Sequence, residues 1–284
     1  MVLQDTYTLS NGIKIPKLGL GTWMIEGDAA EQAVKDAAGM GYRHIDTAQD
    51  YGNEAEVAAG IKSCGVGRDE MFLTTKLAAQ YKDYKGAVEA IDGSLARMGL
   101  DYIDLMIIHS PQPWGSYGSE DRFLEGNREA WRALEEAHDA GKIRAIGLSN
   151  FTQQDIDNIL ASCSVKPVVN QILAHVSNTP WELIQYSQDK GILVEAYSPM
   201  GHGELFKNEQ IAETASKYGV SVPQLCIRYD LQLGLLPLPK TANPQHMQNN
   251  ADVDFVIADA DMDVLKNMQP IEHYGDASVF PVFQ

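Results

Sequence analysis

The chain has 284 residues, 44% of them hydrophobic, and a formal net charge of −17 at pH 7. This length and apolar content are sufficient for one large domain with a substantial core. The acidic balance argues against binding to nucleic acid or to an anionic membrane surface, because both need clustered lysine and arginine. A phosphate-bearing ligand would therefore need a local cationic pocket.

The first residues and the cysteines indicate the cellular compartment. Residues 1–12 contain neither the basic segment nor the apolar stretch of a signal peptide. No run approaches the roughly 18 apolar residues of a membrane span. Cys64, Cys163 and Cys226 are odd in number and form no CxxC pair, which fits reduced thiols better than disulfides or a zinc site. We expect a cytoplasmic protein without a bound metal.

In chain order, the sequence opens with a predicted hairpin and continues with alternating strands and helices. The segment TYTLSNGIKIP predicts two short strands joined by a type I′ turn at Asn11-Gly12. Short apolar or β-branched runs then predict strands at 17–23, 42–46, 71–77, 102–109, 143–150, 167–172, 192–198 and 235–240. Segments with helical spacing, most of them ending in glycine or a basic residue, predict helices at 28–41, 54–65, 84–99, 128–142, 153–163, 181–191, 208–219 and 222–234.

Strand–helix pairs at this density predict a (β/α)8 TIM barrel, which typically takes about 250 residues. The strand runs are uniformly apolar, as expected for parallel strands that are buried on both faces. The N-terminal β-hairpin is expected to close the bottom of the barrel. Because no linker, low-complexity tract or composition break interrupts residues 1–284, we expect a single domain.

Polar residues recur where the predicted strands end, and a barrel places its active site at the C-terminal ends of its strands. Three successive strands end in Asp46, Lys76 and His109, and Tyr51 follows the first of them. A tyrosine has an ordinary pKa near 10 and is a poor acid at neutral pH. A neighbouring ammonium lowers that pKa, and a carboxylate holds the ammonium in place. The four residues predict a proton donor for a carbonyl group that accepts a hydride.

Motifs along nearly the whole chain resemble the aldo-keto reductase superfamily. They include GLGTW, GYRHIDTAQDYGNE, TTKL, IIHS, GKIRAIGLSNF, PVVNQI, EAYSPMG and LPKTANPQHMQNN, in this order. The resemblance implies a barrel enzyme that reduces aldehydes and ketones with NADPH and without a metal. It implies that Tyr51 is the general acid, that Lys76 and Asp46 tune it, and that a neutral His109 orients the substrate carbonyl.

The same resemblance implies a binding site for the cofactor in the other half of the barrel. Ser149, Asn150 and Gln171 would bind the carboxamide of the nicotinamide, which fixes the ring face that presents the hydride. Tyr197 would stack on the ring, and Lys240 with Thr241 would bind the 2′-phosphate of NADP. The other residues that the resemblance places at the cofactor are Thr22, Trp23, Ser198, Met200, Gly201, His246, Asn249 and Asn250.

Two residues depart from the family pattern near the 2′-phosphate. His246 stands where the family usually has arginine, and Asn249 stands where it usually has glutamate. An imidazole offers a weaker, pH-dependent charge in place of a bidentate guanidinium. We therefore expect a preference for NADP(H) that is weaker than is typical of the family, with some use of NAD(H).

The substrate half also departs from the pattern. Ser110 follows the catalytic histidine where the family often has tryptophan, and Trp114 further along the loop is the candidate replacement. Trp23 is a candidate apolar wall, although a core role is equally compatible with its position. The tail HYGDASVFPVFQ is short, which predicts an open pocket that accepts many carbonyl compounds. Nothing marks a large apolar outer face, so we expect a monomer.

The sequence is also compatible with two functions from other classes. Lys76 at a strand end is also compatible with a Schiff-base lysine, as in lysine-dependent aldolases. A non-catalytic regulatory subunit that binds the cofactor is the other alternative, and the complete set of four residues argues against it. The remaining histidines show no metal-ligand spacing and are interpreted as surface or core residues: His44, His138, His175, His202 and His273.

Overall fold

The computed structural model describes residues 1–283; Gln284, the last residue of the predicted domain, lies outside the described residues. Eight parallel strands form a nearly closed barrel in which each strand pairs with its neighbours in the sequence. A bridge between Gly21 and Lys240 joins the first barrel strand to the end of the last. The barrel strands are β3 Leu20–Gly21, β4 His44–Asp46, β5 Phe72–Leu77, β6 Ile103–Ile108, β7 Ile143–Ser149, β8 Val169–Leu173, β9 Leu193–Tyr197 and β10 Leu236–Leu238. The predicted (β/α)8 barrel is confirmed.

Helices follow every barrel strand and cover the outside of the barrel. Two of them, α7 and α8, lie between β9 and β10, so these two predicted helices do not belong to separate strand–helix pairs. The helices are α1 Asp28–Met40, α2 Glu54–Ser63, α3 Tyr84–Met98, α4 Leu124–Asp139, α5 Gln153–Leu160, α6 Trp181–Asp189, α7 Glu209–Lys217, α8 Val222–Gln232, α9 Pro244–Ala251 and α10 Asp259–Lys266.

The helix of the eighth pair is α9, which the sequence pattern did not predict. It has almost no apolar stripe, since Met247 and Asn250 are its buried residues. Its start is set by Asn243, whose side chain accepts hydrogen bonds from the backbone N–H groups of Gln245 and His246, with Pro244 in the first turn. The cap, rather than hydrophobic periodicity, is the local signal for this helix.

The N-terminal hairpin consists of β1 Thr6–Thr8 and β2 Lys14–Pro16, and its turn is not type I′. A type I′ turn needs positive φ at both central residues, but of Asn11 and Gly12 the positive φ belongs to Gly12 alone, at 86°. The backbone N–H of Gly12 donates to the Leu9 carbonyl and that of Leu9 to Ile13, which makes a three-residue loop with glycine in the bulge. The predicted turn type is therefore wrong, because Asn11 does not adopt the left-handed backbone that a type I′ turn requires.

The hairpin closes the N-terminal end of the barrel, as predicted. Leu9 and Ile15 pack in one buried cluster with interior residues that lie near the start of the strands, among them Phe72, Val169 and Leu236. The interior of the barrel is filled by side chains, as the period-2 alternation of each strand requires. Within residues 1–283, no helix is both long and apolar enough to cross a membrane.

Candidate active site

A cavity of about 1020 Å³ lies at the C-terminal ends of the barrel strands. Its position agrees with the general rule for this architecture, in which the loops that follow the strands build the active site. Most of the residues predicted for the site line this cavity: Trp23, Asp46, Tyr51, His109, Trp114, Ser149, Asn150, Gln171, Tyr197, Ser198, Met200, Lys240, Thr241, His246 and Asn250.

Tyr51 is held at the cavity wall by a short, well-anchored turn after β4. A single helical turn covers Gln49–Tyr51, and Gly52 ends it with φ 69°, a left-handed conformation that glycine adopts without strain. The buried side chain of Asn53 then donates to the carbonyl groups of Thr22 and Ile25, at 2.9 and 2.8 Å, and fixes the turn to the loop after β3. This explains why glycine and asparagine follow the tyrosine in the sequence.

The next residue, Glu54, anchors the same segment from the other side. Its buried carboxylate pairs with the Arg97 guanidinium at 2.6 Å. It also accepts hydrogen bonds from the hydroxyl groups of Thr75, at 2.7 Å, and Ser94, at 2.9 Å. Because all of these partners belong to β5 and α3, the start of α2 is tied to the scaffold. Tyr51 therefore sits on a rigid support.

A buried ion pair stands behind Tyr51. The Lys76 ammonium, 1% exposed, contacts Asp46 Oδ1 at 2.5 Å and donates to the Thr47 carbonyl at 2.9 Å. Burial alone lowers the pKa of Lys76, but Asp46 and the Tyr51 phenol outweigh it, so that the pKa is raised and the ammonium keeps its charge. The predicted Asp46–Lys76–Tyr51 arrangement is present.

The Lys76 ammonium lies 4.9 Å from the centroid of the Tyr51 ring. Burial raises the pKa of Tyr51, and the Lys76 ammonium lowers it, with burial as the larger effect. The net pKa of Tyr51 is therefore above its ordinary value. The predicted lowering of this pKa by the ammonium is present, but the effect of burial is larger. A phenol with a raised pKa stays protonated at neutral pH and is available as a proton donor.

His109 faces Tyr51 across the cavity wall, with the two ring centroids 5.7 Å apart. Its Nδ1 is 3.2 Å from Oδ2 of Asp50, the residue that precedes Tyr51. The same carboxylate oxygen accepts a hydrogen bond from Nε1 of Trp114 at 3.1 Å. The Trp114 ring lies edge-on to the His109 ring, with centroids 5.1 Å apart. Trp114 therefore lines the cavity beside His109 and stays the candidate replacement for the tryptophan that is absent at Ser110.

The opposite side of the cavity carries the predicted amide groups. Asn150, in a left-handed conformation with φ 61°, donates from Nδ2 to the His109 carbonyl and to Ser149 Oγ. The Tyr197 hydroxyl donates to Asn150 Oδ1 at 2.7 Å. The Asn150 amide is thus fully engaged by protein groups, and Ser149 retains a hydroxyl proton that faces the cavity.

Gln171 is fixed by two carboxyl groups. Its Nε2 donates to Asp46 Oδ2 at 2.9 Å and to Glu195 Oε2 at 2.8 Å, so both amide protons are used. Its Oε1 is then left as an acceptor on the cavity side. Glu195 is fully buried, and Oε1 of its carboxyl has no hydrogen-bond partner. Burial, with the charge of Asp46, raises the pKa of Glu195 to about 8.

Polar groups suited to phosphate lie along the far end of the cavity. Ser198, with φ 53°, hydrogen bonds through its hydroxyl to His202 Nε2 at 3.0 Å. Lys240, Thr241 and His246 follow at the end of β10 and the start of α9. Among residues 1–283, Lys240 is the only lysine or arginine on the cavity wall, so the cationic character of this end is modest.

Besides Lys76, which lies behind Tyr51, four predicted site residues do not line the cavity. The fully buried hydroxyl of Thr22 donates to the Asp46 carbonyl at 2.9 Å and supports the strand end instead. Ser110 is also fully buried, and its carbonyl accepts a hydrogen bond from the Lys82 ammonium at 2.7 Å. Gly201 is buried in its turn, and Asn249 is on the exposed side of α9. The structure does not bring these four residues to the cavity wall, and their contacts with substrate or cofactor stay predictions.

The C-terminal tail reaches the cavity, which is less open than the short tail predicts. The aromatic rings of Trp23 and Phe280 meet edge-on with centroids 5.2 Å apart, and Phe283 stacks near Trp23 at 6.5 Å. Phe283 also contacts His202, with centroids 4.5 Å apart. Trp23 is therefore a wall of the cavity and not a core residue, and His202 belongs to the site although it was interpreted as a surface or core residue.

Sequence reasoning missed further residues at the site besides His202, among them Asp50, Glu195 and Phe283. Asp50 directly precedes Tyr51, Glu195 lies two positions before Tyr197 on β9, and Phe283 lies in the tail. A glutamate in the otherwise apolar run ILVEAYS was the available signal for Glu195, because a buried charge needs a specific partner. For Asp50 and Phe283, tertiary contacts decide the role and the local pattern carries no signal.

The fold and the cavity define a TIM-barrel enzyme with a buried Asp–Lys pair beside a tyrosine at the barrel mouth. Residues 17–269 match the model of the aldo/keto reductase family. The chain belongs to this family and is an oxidoreductase of a class that uses nicotinamide cofactors.

Individual relatives agree with this assignment over nearly the whole chain. Glyoxal reductase of Bacillus subtilis is 40% identical over 275 residues, covering 96% of each protein. The crystal structure of an aldo/keto reductase from Brucella melitensis superimposes with a TM-score of 0.85 at 37% identity, covering 94% of this chain and 97% of that one. A Bombyx mori aldo-keto reductase, solved in complex with NADP, has a TM-score of 0.85 at 32% identity, covering 98% of both chains.

Proposed function

We propose that this protein is an NADP(H)-dependent reductase that converts aldehydes and ketones to alcohols, reversibly, with Tyr51 as the general acid. The observation that carries the proposal is the buried Lys76–Asp46 pair, with its 2.5 Å contact, directly behind a tyrosine that lines the cavity. Such a pair has a large desolvation cost, and its position beside a potential acid gives it a chemical use.

The residues of the chain have separate duties in the reduction. NADPH, when bound, supplies the hydride to the carbonyl carbon. The Tyr51 hydroxyl donates its proton to the carbonyl oxygen, which becomes the alcohol oxygen as the C=O π bond breaks. The Lys76 ammonium stabilises the resulting phenolate, and Asp46 holds that ammonium in place. His109 orients the substrate beside Tyr51.

The cavity fits a nicotinamide dinucleotide at both of its ends. Gln171 presents a free carbonyl oxygen, and Ser149 a free hydroxyl, which suit the carboxamide group. At the far end, Lys240, Thr241 and the capped N-terminus of α9 suit a phosphate. The imidazole of His246, in place of a bidentate guanidinium, supports the expectation of a modest preference for NADP(H) over NAD(H).

Tyr51→Phe tests the assignment of the acid. The protein is titrated with NADPH and NADH by fluorescence, and cofactor oxidation is followed with a panel of aldehydes, ketones and sugars. In the variant kcat should fall by about 100- to 10,000-fold, the usual contribution of a general acid. The dissociation constants of both cofactors should stay within twofold, because the ring of the residue is retained. Turnover at the wild-type rate would show that another group is the acid.

A Schiff-base mechanism at Lys76 is disfavoured by one observation. The ammonium is 1% exposed and lies behind Tyr51, outside the cavity lining, so a carbonyl carbon in the cavity has no path to Nζ. Borohydride should therefore trap no substrate on Lys76, and turnover should require a nicotinamide cofactor. A regulatory subunit without catalysis would bind the cofactor in the titration and fail to oxidise it with every carbonyl compound of the panel.

We further propose that the protein acts as a cytoplasmic monomer. Among the exposed large apolar side chains, Met24, Phe206 and Phe280 belong to the cavity wall, so their exposure is explained by ligand binding. Light scattering coupled to size-exclusion chromatography should give a mass close to 31.2 kDa, and a mass of twice this value would contradict the proposal.

A further inference from the structure

Asp50 introduces a carboxylate into the wall of the cavity beside the proposed acid. It occupies the middle of the turn Gln49–Tyr51, and its side chain is 28% exposed. One oxygen, Oδ2, accepts hydrogen bonds from His109 Nδ1 at 3.2 Å and from Trp114 Nε1 at 3.1 Å. The carboxylate thus joins the two side chains that face a substrate at Tyr51.

Asp50 is an acceptor only. Burial raises the pKa of Asp50, while hydrogen bonding to His109 and Trp114 lowers it, and the net shift is downwards. Trp114 Nε1 is a donor only, so the Oδ2 atom that it shares with His109 acts as an acceptor. An ionised carboxylate has no proton to donate. The hydrogen bond between His109 Nδ1 and Asp50 therefore requires that the proton is on Nδ1.

His109 is a neutral imidazole in this surrounding. Burial lowers its pKa, the contact with Asp50 raises it, and the Lys76 ammonium lowers it further, with a net shift downwards. A neutral ring carries one N–H, which is committed to Asp50, so Nε2 carries a lone pair. No described residue among 1–283 hydrogen bonds to Nε2, and His109 lines the cavity, so this acceptor is left for a ligand.

A lone pair at Nε2 changes what the site recognises. An unprotonated Nε2 has no proton to donate to a carbonyl oxygen, which carries lone pairs of its own. Tyr51 already supplies a hydrogen-bond donor for that oxygen. The unprotonated Nε2 is able to accept a hydrogen bond from a hydroxyl on the carbon next to the carbonyl. A substrate with this pair of groups satisfies Tyr51 and His109 together.

We propose that Asp50 is a positioning residue that holds His109 in the Nδ1–H tautomer and thereby makes the site selective for 2-hydroxyaldehydes and 2-hydroxyketones. The inference rests on the proposed reduction of carbonyl compounds. It also predicts discrimination against 2-oxo acids, because their carboxylate would meet the Nε2 lone pair and the charge of Asp50. When a substrate lacks the hydroxyl group that the site is built to bind, a buried acceptor in the site is left without a hydrogen bond. The free-energy cost of this unpaired acceptor is the physical source of the selectivity.

Three small ketones separate the effect of a hydroxyl group from the effect of a carboxylate on substrate selectivity. Hydroxyacetone and butan-2-one differ by a hydroxyl in place of a methyl group and have nearly the same shape, and pyruvate carries a carboxylate at the same position. The ratio of kcat/KM for hydroxyacetone over butan-2-one should fall about tenfold in Asp50→Leu, the value of one hydrogen bond of about 1.4 kcal/mol. The rate with pyruvate should rise relative to butan-2-one.

The tautomer is measured independently of turnover. In ¹⁵N NMR of the protein, His109 should show a protonated Nδ1 and an unprotonated Nε2, with its signals identified by their loss in His109→Gln. In Asp50→Leu the ring is free to place the proton on Nε2, and the Nε2 signal should move toward its protonated position. A merely structural role for Asp50 would leave both nitrogen signals unchanged.

A matched variant at the other end of the barrel controls for the loss of a charge. Asp69 is exposed in the turn Arg68–Glu70, and Asp69→Leu should change neither the substrate ratio nor the His109 signals. If Asp50→Leu fails to fold, Asp50→Asn retains the size of the residue and carries both measurements. In that variant the Asn amide can donate to Nδ1, so the Nε2–H form should again be populated and the ratio should fall.

The outcomes distinguish this inference from the function on which it rests. If the wild-type protein reduces neither ketone with either cofactor, the proposed function fails, and the NMR signals still report the tautomer. An unchanged substrate ratio in Asp50→Leu, or a wild-type His109 that is protonated on Nε2, would overturn the role of Asp50.

Discussion

Asp104, near the N-terminal end of the barrel, and Asp46, at its mouth, are both buried carboxylates on parallel strands, yet their surroundings differ. Asp104 is paired with the guanidinium groups of Arg68 and Arg144, each at 2.7 Å, and accepts the backbone N–H of Leu73 at 3.0 Å. Both of its oxygens are satisfied by the protein. The hairpin packs over the barrel interior at this end, and Asp104 and Arg144 line a separate cavity of about 700 Å³ beside it.

The mouth leaves polar atoms for a ligand. Asp46 is paired with Lys76 and Gln171, but Gln171 Oε1 and His109 Nε2 have no partner among the described residues. Glu195 Oε1 is buried without one. The comparison shows that a buried ion pair alone does not mark an active site. An active site is indicated instead by a buried polar network with atoms that face a cavity and have no hydrogen-bond partner in the protein.

Lys76→Met should give the largest effect, because it removes the cation of the mouth and leaves Asp46 without its charge partner. We expect kcat to fall by about 100- to 10,000-fold, since the proton donor loses its stabilising ammonium. The free energy of unfolding should fall by about 3–5 kcal/mol, as is usual when one partner of a buried pair is removed. Steady-state kinetics and urea unfolding measure the two effects. Wild-type kcat in the folded variant would contradict the role of Lys76.

Glu195→Gln should change how stability depends on pH. The folded pKa of Glu195 is raised to about 8 by burial and by Asp46, so its contribution to stability is present in full below its unfolded pKa. That contribution is lost as the pH rises through 8. Relative to the variant, the wild-type free energy of unfolding should decrease by on the order of a few kcal/mol between about pH 5 and pH 8. Parallel pH profiles of the two proteins would show that Glu195 is ionised throughout.

Asp104→Asn tests the other end of the barrel. Losing the carboxylate should lower the free energy of unfolding by about 1–3 kcal/mol, the cost of weakening hydrogen bonds to a buried charged group. The kcat of the folded protein should remain unchanged, because no residue of this network lines the cavity at the barrel mouth. Asp92→Asn is the matched control, since its pair with Lys142 is half-exposed and should be worth less than about 1 kcal/mol. A fall in kcat in Asp104→Asn would remove the distinction between the two ends.

His246→Arg should give the smallest effect and act on the cofactor alone. A guanidinium at the start of α9 should tighten NADPH binding about tenfold by pairing with its 2′-phosphate. The dissociation constant of NADH, which lacks this phosphate, should stay nearly constant. Asn249→Arg adds the same charge to the same helix outside the cavity lining and should leave both constants within twofold. Equal tightening of both cofactors in His246→Arg would contradict specific recognition of the phosphate.

The barrel and the strand ends at its mouth could be predicted because they follow from periodicity and topology. Parallel strands buried on both faces, followed by helices, bring the last residue of each strand to one rim, whatever the chemistry. Asp46, Lys76 and His109 were found in this way, and Tyr51 through the turn after β4. The same reasoning failed at Ser110, which faces away from the cavity although it follows His109 directly.

Contacts between distant segments could not be predicted. The pairing of Asp50 with His109 and Trp114 depends on the path of the loop after β6, and the packing of Phe283 on Trp23 depends on where the tail returns. The hairpin turn shows that local sequence also leaves some backbone conformations undetermined. An Asn-Gly pair fits two turn types that differ in the φ of one residue. Helix α9 shows that a good cap can start a helix without an apolar stripe.

We propose that a carbonyl carbon at the mouth of the barrel receives a hydride from NADPH while Tyr51 supplies the proton. NADPH doubly deuterated at C4 of the nicotinamide tests this most directly, with hydroxyacetone as the substrate and mass spectrometry of the alcohol as the readout. We expect one deuterium on the former carbonyl carbon in every product molecule, and formation about 100-fold or more slower in Tyr51→Phe. An alcohol without deuterium, or labelled alcohol at an undiminished rate in Tyr51→Phe, would contradict the account.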